Sequence, residues 1–283
     1  MDREVVRYKD SNCSMASTPA AAAARAFRLL CREGKHTEQT SGLRGAALSR
    51  CAQANVVILP KEHALDFESF CRLNPTPCPL LEVTKVGSPR FPSMGADIDL
   101  TRDVPKYCIF KYGDMVEEVT SIETYWNEDM VGFLLGCSFS FESALIEAGI
   151  SVRHIEQGSN VPMYETNLQC QKVGIFEGPV VVSMRPFHPD VVDDVIKITS
   201  KYPRVHGAPI HVGSPEEIGV DLSAPPKWGD AVKIHEDEVP LFWGCGVTPQ
   251  AALVKARPSL AITHAPGHML VLDVENDDLA EEV

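Results

Sequence analysis

The spacing of apolar residues in the first quarter of the chain predicts a helix, a buried strand and a second helix. Ala20–Cys31 has helical spacing and ends before Gly34. Ala54–Leu59 is a β-branched run closed by Pro60, which is typical of a buried strand. Glu62–Leu73 again shows an apolar face at helical spacing, so it is predicted to be a helix.

The middle of the chain predicts a hairpin around a glycine turn, two helices and a further strand. Alternation about Tyr112-Gly113-Asp114 gives the hairpin, and Gly149 is suited to end the second helix. The predicted bounds are Lys106–Val119 for the hairpin, Ile122–Leu135 and Phe139–Ala148 for the helices, and Ser151–Ile155 for the strand.

The second half of the chain predicts more short strands and two helices. The predicted strands are Gly178–Met184, Pro209–Val212, Val239–Trp243, Leu260–Thr263 and Met269–Val274, and the helices are Pro189–Lys201 and one capped by Thr248. Strands alternate with helices, and hairpins also occur. The pattern therefore predicts an α/β fold with a mixed β-sheet, flanking helices and two subdomains.

The same pattern predicts where domains begin and end. We expect a disordered N-terminus over residues 1–17, one module over residues 18–274 and an acidic tail over residues 275–283. A smaller subdomain is expected over about residues 156–215. A chain of 283 residues is long enough to bury a substantial core in such a module.

Charge and hydropathy restrict the partners of the protein. The net charge is −13, and nucleic-acid binding needs a positive field that displaces counterions, so we expect no nucleic-acid partner. The negative charge also disfavours an anionic membrane surface, and no apolar run approaches the roughly 20 residues that span a bilayer. We therefore expect no membrane partner.

Cysteine usage predicts the compartment. The nine cysteines form no CxxC pair and no repeated framework, which is typical of free thiols in a reducing compartment, so the cytoplasm is expected. The alanines and arginines of Ala16–Arg32 loosely suggest a transit peptide, which makes the mitochondrial matrix the alternative. The acidic residues Asp2 and Glu4 argue against a transit peptide, because such peptides contain few acidic residues.

Two turns place a cysteine immediately before a predicted helix. They are Gly136-Cys137-Ser138 and Gly244-Cys245-Gly246-Val247-Thr248. The free amides and the dipole of a helix start can hold a carboxylate, and the same field can lower a thiol pKa. The alternative is a small buried cysteine beside a tight turn, with Ser138 and Thr248 as ordinary caps.

Histidines cluster at two further turns, His206-Gly207-Ala208-Pro209-Ile210-His211 and Thr263-His264-Ala265-Pro266-Gly267-His268. Proline and glycine break any helix there, so the zinc geometry of two histidines on one helix face is lost. Imidazoles presented by a turn suit a general base or acid. A metal site and satisfied structural histidines remain the alternatives.

Many of these segments carry a resemblance to a known family. They are Gln53–Pro60, Asn74–Thr84, Gly136–Glu142, Arg153–Glu156, Asn160–Tyr164, Val182–Pro186, His206–Pro209, Trp243–Ala251 and Ile262–Met269. With these motifs in order over nearly the whole chain, the protein resembles the hydro-lyase family that includes D-glutamate cyclase. It resembles the short, single-module form. Residues 38–42 depart from the Gly-Pro-Thr-type turn that the family usually has there.

The resemblance implies an α/β fold with two subdomains and the conversion of D-glutamate to 5-oxo-D-proline and water. Our hypothesis is that Arg185 clamps the α-carboxylate, since an arginine at a strand end can fork onto a carboxylate. The helix start at Cys137 or Cys245 would stabilise the oxyanion. His264 or His268 would move the proton from the amine to the leaving hydroxyl.

Glu142 is a second candidate base, although a glutamate in a first helical turn is more often a partner of the helix dipole. The expected substrate contacts are Arg185, Ser138, Thr248, His206, His211, Asn160 and Tyr164. No cofactor is obligatory for this chemistry, no metal ligands are assigned, and a divalent metal stays an open alternative.

The sequence leaves three other functions open. The protein could be a hydratase or dehydratase of another small carboxylic acid, a non-catalytic module that binds small carboxylates, or a thiol hydrolase that uses Cys137 or Cys245. In every case but the last, the expected partner is a small carboxylic or amino acid. A homodimer is left open.

Overall fold

The structure is a computed structural model that describes residues 18–40 and 47–281. The expected disorder of residues 1–17 lies outside the described residues. The described helices are α1 Pro19–Arg32, α2 Lys61–Leu73, α3 Phe139–Glu147, α4 Arg153–Glu156, α5 Pro189–Thr199 and α6 Val247–Ala256. The described strands are β1 Cys51–Pro60, β2 Leu80–Val83, β3 Tyr107–Lys111, β4 Asp114–Val119, β5 Met130–Gly136, β6 Met163–Gln169, β7 Pro179–Phe187, β8 His211–Val212, β9 Val239–Gly244, β10 Ala261–His264 and β11 Leu270–Glu275.

The larger sheet is built around β1, whose residues are almost all buried. The strand order is β2-β5-β1-β10-β3-β4, and β11 also pairs with β1. β10 and β11 share one edge of β1, with Val57 opposite Thr263 and Ala54 opposite Leu270. The turn between β10 and β11 therefore bends beside the middle of β1.

The smaller sheet has the order β6-β7-β9-β8, and its strands lie within residues 163–244. Side chains of both sheets meet in shared apolar clusters, one of which joins Leu59 and Phe133 to Val182 and Phe242. Every strand pairing among the described residues is antiparallel. The α/β class with flanking helices is confirmed, while the predicted domain bounds stay a prediction.

The helix predicted over Ile122–Leu135 is wrong. Met130–Gly136 is strand β5, which is buried throughout and pairs with β1 on one side and β2 on the other. A short apolar run has the same sequence pattern in a buried helix and in a strand that is buried on both faces, so periodicity could not distinguish the two. The strand predicted over Ser151–Ile155 is also wrong, because Arg153–Glu156 forms the short helix α4.

The segment that loosely suggests a transit peptide is part of the packed fold. Pro19–Arg32 is helix α1, and Ala24 and Phe27 are buried in an apolar cluster with Val271 of β11. The guanidinium of Arg28 is fully buried and lies 2.6 Å from Asp273.

The acidic C-terminal segment also contributes to the packing. Asn276–Leu279 forms a 3-10 turn, and Leu279 is fully buried in the main core.

Candidate active site

A cavity of about 920 Å³ brings together most of the turns that the sequence analysis singled out. The predicted site residues that line it are Cys137, Ser138, Asn160, His206, Cys245 and His264. They come from both sheets, through the ends of β5, β9 and β10 and the segments before β6 and β8. Convergence of these distant turns is the condition on which any shared chemistry depends.

The two cysteine turns have the same construction, a buried strand that ends in glycine and cysteine and leads directly into a helix. A side chain at Gly136, just before Cys137, or at Gly246, just after Cys245, would collide with a neighbouring residue. A Cβ on Gly136 would lie 2.1 Å from the Arg204 carbonyl oxygen, and one on Gly246 would lie 2.3 Å from the Asn55 amide nitrogen. Glycine therefore lets the end of β5 pack against the backbone just before His206, and the start of α6 pack against Asn55.

The thiols at these helix starts are not activated. Burial raises the pKa of Cys137 to about 12, outweighing the Phe139 amide that donates to its sulfur. Burial likewise raises the pKa of Cys245 to about 11, against the opposing effects of the Val247 amide and Arg185. These pKa values favour the alternative of small buried cysteines beside tight turns over activated thiols, because burial disfavours the thiolate.

His264 lies at the end of β10 and is 3% exposed. Its Nδ1 accepts a hydrogen bond from the Val56 backbone amide at 3.1 Å. The same Nδ1 also lies 3.4 Å from the Val56 carbonyl oxygen. The shorter contact is to the Val56 amide, which can only donate, and it assigns the proton of the neutral ring to Nε2. Burial lowers the pKa of His264 to about 4. The nearby His268 lowers this pKa further, and the hydrogen bond with the Val56 backbone opposes the decrease. At neutral pH this side chain therefore presents a neutral N–H donor to the cavity.

His206 has the opposite tautomer. Its Nδ1 donates to the Thr76 carbonyl oxygen at 2.8 Å, which leaves the lone pair on Nε2. Burial lowers its pKa to about 4 despite the carbonyls of Thr76 and Gly136. The backbone of His206 has φ 87°, a left-handed conformation that costs free energy in a non-glycine residue and is often kept at functional sites.

Arg185 lies behind the cavity wall and its guanidinium is already occupied. It bonds Glu142 through Nε at 2.8 Å and through a shorter Nη2 contact, Ser183 at 2.9 Å and Ser138 at 2.9 Å. Neither Arg185 nor Glu142 lines the cavity. The expected clamp on a substrate carboxylate therefore does not match the position of Arg185, whose carboxylate partner is Glu142.

Glu142 does not have the properties of a general base. Burial alone would raise its pKa, but Arg185 and the nearby His154 together hold that pKa below its usual range. Its Oε1 lies 3.4 Å from Nε2 of His154, and the side chain is 5% exposed. The ionised carboxylate instead compensates the charge of the buried arginine.

The candidate base His268 and three expected substrate contacts also lie off the cavity. Thr248 does not cap its helix, and its hydroxyl exchanges hydrogen bonds with the backbone of Val181 in β7. His211 bonds the Ser214 carbonyl oxygen, and His268 that of Pro266. Tyr164 packs in the core because alternation along β6 turns its neighbours Met163 and Glu165 towards the cavity.

Some cavity residues were missed from the sequence. Asn55 is a buried polar residue inside the apolar strand β1, and its Nδ2 donates to the Gly136 carbonyl oxygen at 2.8 Å. A polar side chain in a buried strand is itself a signal of a site. Trp228 also lines the cavity from an irregular segment rich in proline and glycine, where no periodic pattern could indicate its position.

Two kinds of feature are absent from the part of the chain that the structure describes. Within residues 18–40 and 47–281, no group of three or more histidine, cysteine, aspartate or glutamate side chains is arranged to hold a metal ion. Over the same residues, no helix has the length and apolar character needed to cross a bilayer.

Comparison with known proteins identifies the family. Residues 131–273 match the family described as D-glutamate cyclase. A Bacillus licheniformis protein named "Putative hydro-lyase" is 53% identical over 251 residues, covering 88% of this chain and 94% of its own length. "Putative hydro-lyase YcsI" of Bacillus subtilis is 51% identical over 89% of this chain and 97% of its own length. A "Putative hydro-lyase" of Verminephrobacter eiseniae is 47% identical over 97% of this chain and 99% of its own.

All three of these relatives carry the name "Putative hydro-lyase". The chain belongs to the D-glutamate cyclase family. The resemblance inferred from the sequence motifs is confirmed.

Proposed function

We propose that this protein is a hydro-lyase that converts D-glutamate to 5-oxo-D-proline and water. The observation that carries the proposal is the pair of neutral histidines, His206 and His264, which line one cavity in opposite tautomers. One presents a lone pair and the other an N–H. Ring closure with loss of water needs one group of each kind.

The reaction forms a bond between the α-amine nitrogen and the γ-carboxyl carbon and breaks the bond from that carbon to a hydroxyl. In our proposal the starts of α3 and α6 hold the α-carboxylate with backbone amides and the helix dipole. The ammonium proton of the free amino acid passes to the γ-carboxylate, so the amine enters neutral and the γ-carboxyl enters as the neutral acid. The apolar cavity walls favour this form because they penalise both charges.

His206 takes the proton that the attacking nitrogen loses and passes it to the departing hydroxyl, which leaves as water. A histidine with a pKa of about 4 is a weak base towards an ammonium ion, but it can accept this proton as the new bond makes the nitrogen acidic. His264 donates its Nε2 proton in a hydrogen bond to the oxygen that becomes negative. A neutral imidazole can do this without ionising.

The direct test is to incubate the purified protein with D-glutamate, L-glutamate and a panel of hydroxy and amino acids, and to measure 5-oxoproline by proton NMR. We expect 5-oxo-D-proline from D-glutamate. If D-glutamate is unchanged while another acid loses water, the protein is a different dehydratase. If the acids bind without turnover, it is a binding module.

Variants separate the proposed roles from general damage. His206→Gln removes the lone pair and should lower kcat by roughly 10²–10⁴-fold, which is the usual contribution of a general base. The matched control is His235→Gln, at an exposed position off the cavity, which should retain full activity. All proposed steps use side chains and backbone amides, so we expect dialysis against EDTA to leave activity unchanged.

A further inference from the structure

The cavity is larger and more apolar than the reaction of free glutamate requires. Its volume of about 920 Å³ lies near the top of the roughly 300–1,000 Å³ range of pockets that bury drug-sized ligands, and glutamate is far smaller. Away from the histidines, most of its wall is apolar. These side chains include Phe110, Met115, Val161, Met163, Trp228, Val247, Ala251 and Val254.

This apolar part, which we call the outer wall, is built by separate elements. Phe110 and Met115 come from the β3–β4 hairpin, and Met163 comes from β6. Trp228 is fixed on β6 because its carbonyl oxygen accepts a hydrogen bond from the Met163 amide at 2.9 Å. Gly229 permits this close approach, since a Cβ there would lie 2.0 Å from the Val161 carbonyl oxygen.

The charged residues of the lining are already paired. Lys227 binds Glu165 and lies over the ring of Trp228. Lys255 lies 3.5 Å from Glu177, which is outside the lining.

The acidic Glu118 lies 3.7 Å from Lys106, again a residue outside the lining. Among the described lining residues there is no arginine, and the two histidines are neutral. The proposed function places one carboxylate at the helix starts, and among the described lining residues no uncommitted cation remains for a second.

We propose that the preferred substrate class is a γ-amide or γ-ester of D-glutamate whose leaving group is apolar. The inference rests on the proposed function, because the ring-closing step is the same. Such a substrate has one carboxylate, for the helix starts, and a neutral γ-carbonyl. Its apolar group occupies the space between Phe110, Met163 and Trp228.

The step balances without any co-reactant. The α-amine nitrogen bonds to the γ-carbonyl carbon, and the bond from that carbon to the leaving nitrogen or oxygen breaks. The proton released by the attacking nitrogen passes through His206 to the leaving atom. The products are 5-oxo-D-proline and a neutral amine or alcohol, with no change of oxidation state.

The test compares D-glutamate with its γ-(4-nitroanilide), whose cleavage releases coloured 4-nitroaniline. We expect kcat/KM for the anilide to exceed that for D-glutamate by at least roughly tenfold, the scale on which apolar contacts discriminate substrates. Turnover of D-glutamate without turnover of the anilide would overturn this inference and leave the proposed function standing. Turnover of neither would overturn both.

A variant locates the effect in the outer wall. Trp228→Ala should lower the ratio of the two kcat/KM values, anilide over D-glutamate, by roughly tenfold. The control is Leu65→Ala, whose side chain is 72% exposed off the cavity, and it should leave the ratio unchanged. An unchanged ratio in a folded Trp228→Ala protein, with its melting temperature as the check, would contradict the placement of the leaving group.

Discussion

Burial of His206 and His264 as neutral rings should make the fold sensitive to mild acid. Each pKa is lowered from 6.5 to about 4, so between these values the unfolded chain binds protons that the folded protein rejects. The stabilisation is complete above pH 6.5 and is lost as the pH falls towards 4. Integrated over that window, each histidine accounts for about 3 kcal/mol of the free energy of unfolding.

The measurable quantity is the slope of stability against pH. Near pH 5 each of the two histidines contributes about 1 kcal/mol per pH unit. Urea unfolding, followed by the fluorescence of the fully buried Trp243, gives the free energy of unfolding at each pH. We expect His206→Gln and His264→Gln each to reduce the slope between pH 5 and 6 by about 1 kcal/mol per pH unit.

The matched control is His235→Gln. Because His235 is exposed, this variant should have the same slope of stability against pH as the wild type. Absolute stability will fall in the cavity variants, so only the slopes are compared. A wild-type slope in either cavity variant would refute the reasoning, because that histidine would then titrate alike in the folded and unfolded states.

Three further predictions concern the framework of the site. Gly246→Ala places a methyl group 2.3 Å from the Asn55 amide nitrogen. We expect the free energy of unfolding, measured by thermal melting, to fall by about 1–3 kcal/mol and turnover to fall strongly. Unchanged turnover would contradict the close packing. Arg185→Met removes the arginine from the buried Glu142 carboxylate and leaves only His154 beside it, so we expect a cost of about 3–5 kcal/mol in urea unfolding. A loss below 1 kcal/mol would contradict the buried pair. Iodoacetamide at pH 7.5 should leave activity intact, because the pKa values of Cys137 and Cys245 are about 12 and 11. Rapid inactivation, with labelling of either thiol detected by mass spectrometry, would contradict these raised pKa values.

Local patterns predicted most of the elements because their signals lie within a few residues. The hairpin around Tyr112–Asp114 is confirmed as β3 and β4, and the proline-started helix is confirmed as α5. The errors occur where tertiary burial decides, as in β5, which lies between two strands and is apolar on both faces. No periodicity separates such a strand from a buried helix.

The candidate site was predictable in part for the same reason. Glycine and proline turns indicated where His206 and His264 could be presented, and the structure places both on one cavity. The position of Arg185 depended on Glu142, which lies 43 residues away in the chain, so no local pattern revealed that the guanidinium was occupied. Tautomers likewise depend on distant partners such as Thr76 and Val56.

The central claim is that two neutral imidazoles of opposite tautomer face one cavity, and nitrogen-15 NMR of the histidine rings at pH 7 tests it most directly. We predict that His206 shows a protonated Nδ1 and a bare Nε2, and that His264 shows a bare Nδ1 and a protonated Nε2. Assignment follows from the single His→Gln variants. A charged imidazolium at either position, or the same tautomer at both, would contradict the account.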